Sequence, residues 1–216
     1  DEVAQKVAQA EALDQSMKAL RDAIQDHQQV ENSSPFINED SPEQNAYTNA
    51  VQQAEALINQ ADHPTLDRTQ VQQLTEAVTN AKNHLHGDEK LQNDKQLAVN
   101  NLNQLSGLND AQRDAFESQI NQEPTRNMVA ESISQANALN QAMVSLRNAI
   151  QNEPQVESSS QFINEDTPEQ EAYKQAVSNA KAIINETTNP IMDKAQVDQT
   201  LQEVNDAIAN LHGDQK

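Results

Sequence analysis

The chain has 216 residues and 14 Lys plus Arg against 34 Asp plus Glu, a formal charge of −20; this excludes a nucleic-acid partner, because a phosphate backbone is bound by clustered cations. With 35% hydrophobic residues, aromatics limited to Phe36, Tyr47, Phe116, Phe162 and Tyr173, three Gly and seven Pro, a β-rich or loop-rich fold is excluded too, and any core must be thin and built from Leu, Ile, Val, Ala and Met. Cys is absent, so the chain has no disulfide, no thiolate zinc site and no thiol nucleophile.

In the opening stretch Val3, Val7, Ala10, Leu13, Met17, Leu20 and Ile24 recur at steps of three and four. That spacing lines all seven on one stripe and predicts an amphipathic helix of about seven turns. A loop holding Val30, Phe36 and Ile37 follows. Ser41-Pro42-Glu43-Gln44 then predicts a second helix, with Ser41 as its cap, Pro42 at the first helical position and Gln44 closing a capping box. Its stripe runs Tyr47, Val51, Ala54, Ile58. Pro64 interrupts, and Asp67-Arg68-Thr69-Gln70 opens a third helix with Val71, Leu74, Val78, Ala81 and Leu85 on its inner face. Three such helices joined by short loops predict an antiparallel three-helix bundle. No Pro stands between Leu85 and Leu91, and Gly inside a helix costs about 1 kcal/mol relative to Ala. The third helix is therefore expected to run unbroken through His86-Gly87-Asp88, with a hinge and Asp88 as a new cap as the alternative.

Leu91, Ala98, Leu102 and Leu105 predict the next helical stripe, turned by Ser106-Gly107-Leu108. Asn109 to Gln112 caps a short helix carrying Phe116 and Ile120. Two helices leave one face open, and the expected third wall is the start of the helix after Pro124 and Thr125, around Val129, Ile133 and Ala136.

From there the sequence repeats. Residues 1–90 align without a gap on 127–216, and about half of the positions are identical. Leu139, Met143, Phe162, Tyr173 and Gly213 stand where Leu13, Met17, Phe36, Tyr47 and Gly87 stand in the first copy. The expected division is a three-helix bundle at 1–88, a helical module at 89–126 completed by the start of the next helix, and a second three-helix bundle at 127–216. The fold class is therefore all-α, with tandem three-helix bundles sharing long helices in an elongated rod, on the order of 100 Å at about 1.5 Å per helical residue. No apolar run reaches the roughly 18 residues of a membrane span, and the acidic start at Asp1 reads as that of a piece cut from something larger.

Chemistry finds little to hold. His27, His63, His84, His86 and His212 form no zinc signature. Asn38-Glu39-Asp40 and Asn164-Glu165-Asp166 are the best candidates for a hard cation. Their acids are already explained by the positive end of the helix that follows. Ser33-Ser34 and Ser158-Ser159-Ser160 lack a nucleophile elbow, and three glycines are too few for a phosphate-binding loop. No catalytic, cofactor-binding or metal residue is assigned, and an enzyme is not expected. Phe36 with Ile37, and Phe162 with Ile163, are expected to cover a bundle end, with docking of a partner as the alternative.

The segments LDQSMKALRDAI (13–24), FINEDSPEQNAY (36–47), LNDAQRDAF (108–116) and NLHGD (210–214) resemble the Ebh-type repeats of giant staphylococcal matrix-binding surface proteins. The 90-residue piece is similar to the FIVAR module; residues 91–126 with the following helix are similar to the GA module. The resemblance implies a segment of a cell-wall-associated surface protein of a Gram-positive bacterium, acting in a matrix-binding adhesin and in envelope integrity. It implies fibronectin or other host matrix proteins as partners, with no cofactor. The stretch from Asp110 to Ile120 is more polar than albumin-binding GA modules, which points away from albumin. The expected form is a monomeric rod or spacer, with direct binding of fibronectin or albumin as the alternative.

Overall fold

A computed structural model describes residues 1–215; Lys216, the last residue of the second copy, lies outside them. All regular structure among the described residues is helical. The chain divides into two compact units, residues 1–93 and 94–216.

In the first unit, α1 (Glu2–Ile24), α4 (Ser41–Ile58) and α5 (Arg68–Asn83) pack on one another, and α2 (His27–Glu31) and α3 (Ser34–Ile37) fill the connection between the first two. The sequence pattern predicts a loop where α2 and α3 stand. Their single turns are too short to show a periodic stripe. The core gathers Leu20, Ile24, Val30, Tyr47, Val51, Ala54, Val71, Val78 and Leu85, with Leu13, Met17 and Phe36 packed against it. Phe36 meets Tyr47 edge to face at 6.0 Å between ring centroids, a geometry worth about 0.5–1.5 kcal/mol beyond the area it buries.

Two local expectations are corrected. The helix after the loop begins at Ser41, with Asp40 in the cap position and no side-chain cap bond. Gln44 closes no capping box; its amide Nε2 donates to the Phe36 carbonyl at 2.7 Å and so ties the helix back onto α3. The second correction is the expected unbroken helix through Gly87. α5 ends at Asn83 with His84 as its cap, and α6 (Gly87–Leu102) begins after a three-residue gap, His84 to His86. Tertiary contacts described below stabilise the break, in the same direction as the Gly penalty.

The second unit holds the rest of α6, α7 (Asp110–Gln122), α8 (Arg126–Ile150), α9 (Glu153–Glu157), α10 (Ser160–Ile163), α11 (Thr167–Asn185) and α12 (Lys194–Ala209). α7 starts in a full capping box, Asn109 accepting from the Gln112 amide at 2.8 Å while the Gln112 side chain accepts from the Asn109 amide at 3.0 Å. α8 packs on α7 and on α11 and α12. Phe162 against Tyr173, at 5.7 Å, repeats the aromatic pair of the first unit.

Candidate functional site

The residues that the repeat preserves most strictly, 36–44 and 162–170, meet the equally preserved 85–88 and 211–214 at one end of each bundle. Glu39 is the centre of the first meeting. Its side chain is fully buried; its carboxylate accepts from the Asp40 amide at 2.8 Å, from the backbone N–H of His86, and from the Lys90 ammonium. Lys90 also reaches Asp40 at 2.7 Å. Burial alone would push the Glu39 carboxyl up, but the hydrogen bonds from Lys90 and the two amides outweigh it and hold the group below its usual range. Asp40 and Glu39 in turn push the Lys90 ammonium up. Ser34 donates to Asp88 across the same contact.

Gly87 explains why the two segments can approach so closely. A Cβ there would lie 2.3 Å from the Pro35 carbonyl oxygen and 2.7 Å from the backbone of Asn38 and Glu39. Gly213 stands the same way, a Cβ meeting the Gln161 carbonyl and the Glu165 amide nitrogen at 2.5 Å. Its own N–H donates to the Gln161 carbonyl at 3.1 Å, and Glu165 accepts from the His212 amide. Neither Gly has a positive φ. Room, rather than backbone freedom, selects glycine.

Carboxylate oxygens of Glu39, Asp40 and Glu43, and of Glu165, Asp166 and Glu169, lie within 4.8 Å of one another. The hydrogen bonds of Glu39 and Glu165 already commit those two to backbone amides. The arrangement is a fastening of two loops, in which the carboxylate satisfies N–H groups that the break between α5 and α6 leaves open. Histidines serve helix ends: a ring nitrogen of His27 lies 2.9 Å from the Ile24 carbonyl, and one of His84 lies 2.6 Å from the Asn80 carbonyl. Ser33 and Ser159 each donate to the carbonyl three residues back, at 2.6 Å, and so shape the α2–α3 and α9–α10 turns.

The aromatic candidates for docking divide. Phe36 and Phe162 belong to the cores, whereas Ile37 and Ile163 project, 49% and 61% exposed. Phe116 is buried in the second unit at 3% exposure, so a surface role for it is excluded.

A second set of buried polar groups was not anticipated. Gln112 is fully buried, and beyond its capping box its Nε2 donates to the Ile191 carbonyl at 2.8 Å. Asn109 Nδ2 donates to the Ile183 carbonyl at 3.2 Å. Together they pin the start of α7 to the C-terminal end of α11 and to the connection between α11 and α12. The turn before α7 is held to α8, with the Gly107 amide donating to Asn140 Oδ1 at 2.7 Å and Arg147 Nε donating to the Gly107 carbonyl at 3.1 Å. Further along, Gln119 donates to Ser132 at 2.9 Å, and Arg126 pairs with Asp94 at 2.6 Å. No sequence signal marks these polar contacts, because Asn109 and Gln112 read only as a cap.

The FIVAR domain matches residues 16–86 and 142–212, and the GA module matches residues 88–142. Neither is an enzyme family. "Extracellular matrix-binding protein ebh" of Staphylococcus aureus strain MW2 is 60% identical over 215 residues, covering 100% of this chain and 2% of its own length. "Extracellular matrix-binding protein EbhA" of strain Newman is 59% identical, with 6% of its length covered. The chain thus spans a few hundredths of the curated relatives it matches. Among solved structures, a domain of EbhA from S. aureus superposes with a TM-score of 0.82 at 33% identity, over 92% of this chain and 79% of that one. A structure from work on Embp-mediated adherence of Staphylococcus epidermidis to fibronectin gives 0.57 at 40% identity, over 58% of this chain and 99% of that one.

Proposed function

Since the chain belongs to the FIVAR family, with a GA module between two FIVAR copies, we propose that it is a repeat segment of a bacterial surface adhesin whose task is mechanical. It spaces and projects distant parts of a much longer protein. The observation that carries this reading is the gapless 126-residue repeat, in which each copy rebuilds the same core, the same aromatic pair and the same Glu-to-backbone fastening. A selected ligand pocket calls for one specialised place; a spacer calls for one stable cassette used many times. The likeness to staphylococcal matrix-binding proteins supports a place outside the cell; attachment at the cell wall and a contribution to envelope integrity are part of the same proposal. A monomer fits a spacer joined end to end through its own chain.

Small-angle X-ray scattering tests the reading. An extended monomer is expected, with a radius of gyration well above the roughly 17 Å of a 216-residue globule; a value near that figure overturns it.

A second reading, direct binding of fibronectin, is supported by the likeness to the Embp structure and by the paired exposure of Ile37 and Ile163. Surface plasmon resonance on immobilised fibronectin discriminates. Micromolar or tighter binding, lost in the folded Ile37→Ser, Ile163→Ser double variant, would favour it.

A further inference from the structure

The chain enters and leaves the first bundle at opposite ends. α5 runs parallel to α1: Arg68 Nε, at the start of α5, donates to Ser16 at 3.4 Å, and the Lys82 ammonium, near its end, pairs at 2.6 Å with Asp26, just past the end of α1. The way in is the N-terminus of α1 and the way out is the C-terminus of α5. A pull along the chain therefore acts directly on the exit, residues 84–90. A helix end resists it poorly by itself. The last bonds of α5, from the His84 amide to the Asn80 carbonyl at 3.1 Å and from the Leu85 amide to the Lys82 carbonyl at 3.2 Å, are loaded in series and open one after another, as fraying ends do.

The fastening changes where such a pull is borne. Residues 86–90 are held to residues 34–40, a segment that precedes α4 and has no part in the covalent path from α5 to α6. Glu39 accepts from the His86 amide and the Lys90 ammonium, Lys90 also reaches Asp40 at 2.7 Å, and Ser34 donates to Asp88. These ties join the same two short segments side by side, so they share a load and must open together. The bonds to carboxylates are the stronger, charge-assisted kind, and the Glu39 side chain is fully buried, which keeps water from replacing them one by one. Capping the start of α6 calls for one acceptor. The Lys90 ion pairs and the Ser34–Asp88 bond add ties that cap no backbone group. α4 begins directly after Asp40 and packs on α5, so it takes up what the ties pass on. In the second unit Glu165 accepts from the His212 amide, and the Gly213 amide donates to the Gln161 carbonyl at 3.1 Å.

We infer that the fastening is a mechanical latch, which carries tension from the first turn of α6 into the α3–α4 connection and shields the end of α5 from unwinding under load. The latch deepens the spacer reading and rests on it, since only a segment stretched between distant attachments puts the latch to use.

Because the chain contains no Cys, pairs of thiol handles place a pull at chosen points in optical tweezers. In the 216-residue chain, Asp1→Cys with Asn93→Cys loads the first bundle through the latch, and Asp1→Cys with Asn83→Cys loads it ahead of the latch; all three positions are exposed. Glu39→Gln removes the charge that holds Lys90, and Lys90→Met removes the cation instead. At constant load each variant is expected to raise the unfolding rate at least about tenfold with the Asn93→Cys handle and less than about twofold with the Asn83→Cys handle, since forced unfolding follows the barrier on the loaded path. A rise at the Asn83→Cys handle as large as at the other overturns the latch and makes the contact an ordinary stabilising one. No change at either handle overturns it as well. Should Glu39→Gln fail to fold, Lys90→Met, which alters a partly exposed side chain, decides alone. The spacer reading is judged apart from this: a compact particle in scattering removes it whatever the tweezers record, and an extended one leaves the latch to stand or fall on the two handles.

Discussion

The carboxylate of Glu39 accepts the backbone N–H of His86, 47 residues further along the chain, from a position where its own side chain sees no solvent. This contact, repeated by Glu165 and His212, allows the third helix of each bundle to stop before the next segment begins.

Glu39→Ala leaves the His86 amide and the Lys90 ammonium without their shared acceptor. The variant is expected to lose about 2–4 kcal/mol, as for a buried charge-assisted network deprived of one member, read as a lower urea midpoint. Glu39→Gln, which keeps an acceptor oxygen, should lose less.

The same carboxyl predicts an acid response. Its folded value lies below the usual value near 4.5, so its contribution is complete above about pH 4.5 and disappears as the pH falls through the lower folded value. Urea midpoints measured from pH 7 to pH 2.5 should fall below pH 4.5, and the fall should be shallower in Glu39→Gln.

Gly87→Ala forces a methyl group onto the backbone of residues 35–39. The expected cost is about 1–3 kcal/mol, the range for overpacking a site that cannot relax by moving a side chain. Gly213→Ala should behave alike. A gain in thermal stability for Gly87→Ala, as simple helix propensity would give, contradicts the close-approach explanation.

Tyr47 and Tyr173 are buried, and the Tyr47 hydroxyl has no hydrogen-bond partner. Burial, with Asp26 and Glu31 adding to it, pushes Tyr47 up to about 12; Tyr173 is pushed up to about 12 by burial with Glu153 and Glu157. The neutral phenol is thus favoured in the folded chain, so stability is retained below pH 10 and lost as the pH rises from about 10 towards 12. Tyr47→Phe should be neutral or stabilising by up to about 1 kcal/mol at pH 7, and should reduce the alkaline loss seen in absorbance-monitored unfolding.

Gln112→Ala removes the reciprocal cap of α7 and orphans the Ile191 carbonyl. A loss of about 1–3 kcal/mol is expected, visible as faster amide exchange in residues 110–116. Phe116→Ala should cost about 3–5 kcal/mol through its cavity, so neither variant serves to map a ligand.

Much of this fold was legible before any coordinates. Steps of three and four residues marked α1, α4, α5, α8, α11 and α12, because each presents a stripe to a core. Asp67 and Asn109 were readable as caps, since a cap needs only a local side chain and the next three residues. Gln44 was misread by the same rule: its amide satisfies a carbonyl of α3 that lies behind the helix, and nothing in Ser-Pro-Glu-Gln distinguishes the two uses. The break at His84 to His86 was missed because its cause is nonlocal. Glu39 creates it from the far side of the contact, on the face that Gly87 leaves bare. Of the docking candidates, exposure of Ile37 and partial burial of Phe36 depend on which side of a single helical turn each occupies, a distinction adjacent apolar residues do not announce.

Each fastening closes within its own period, from residue 34 to residue 90 in the first copy. A gene encoding such an array could therefore gain or lose whole copies by unequal recombination and leave every remaining glutamate with its own amide. Length would then be adjustable in units of 126 residues with no change to the folding instructions.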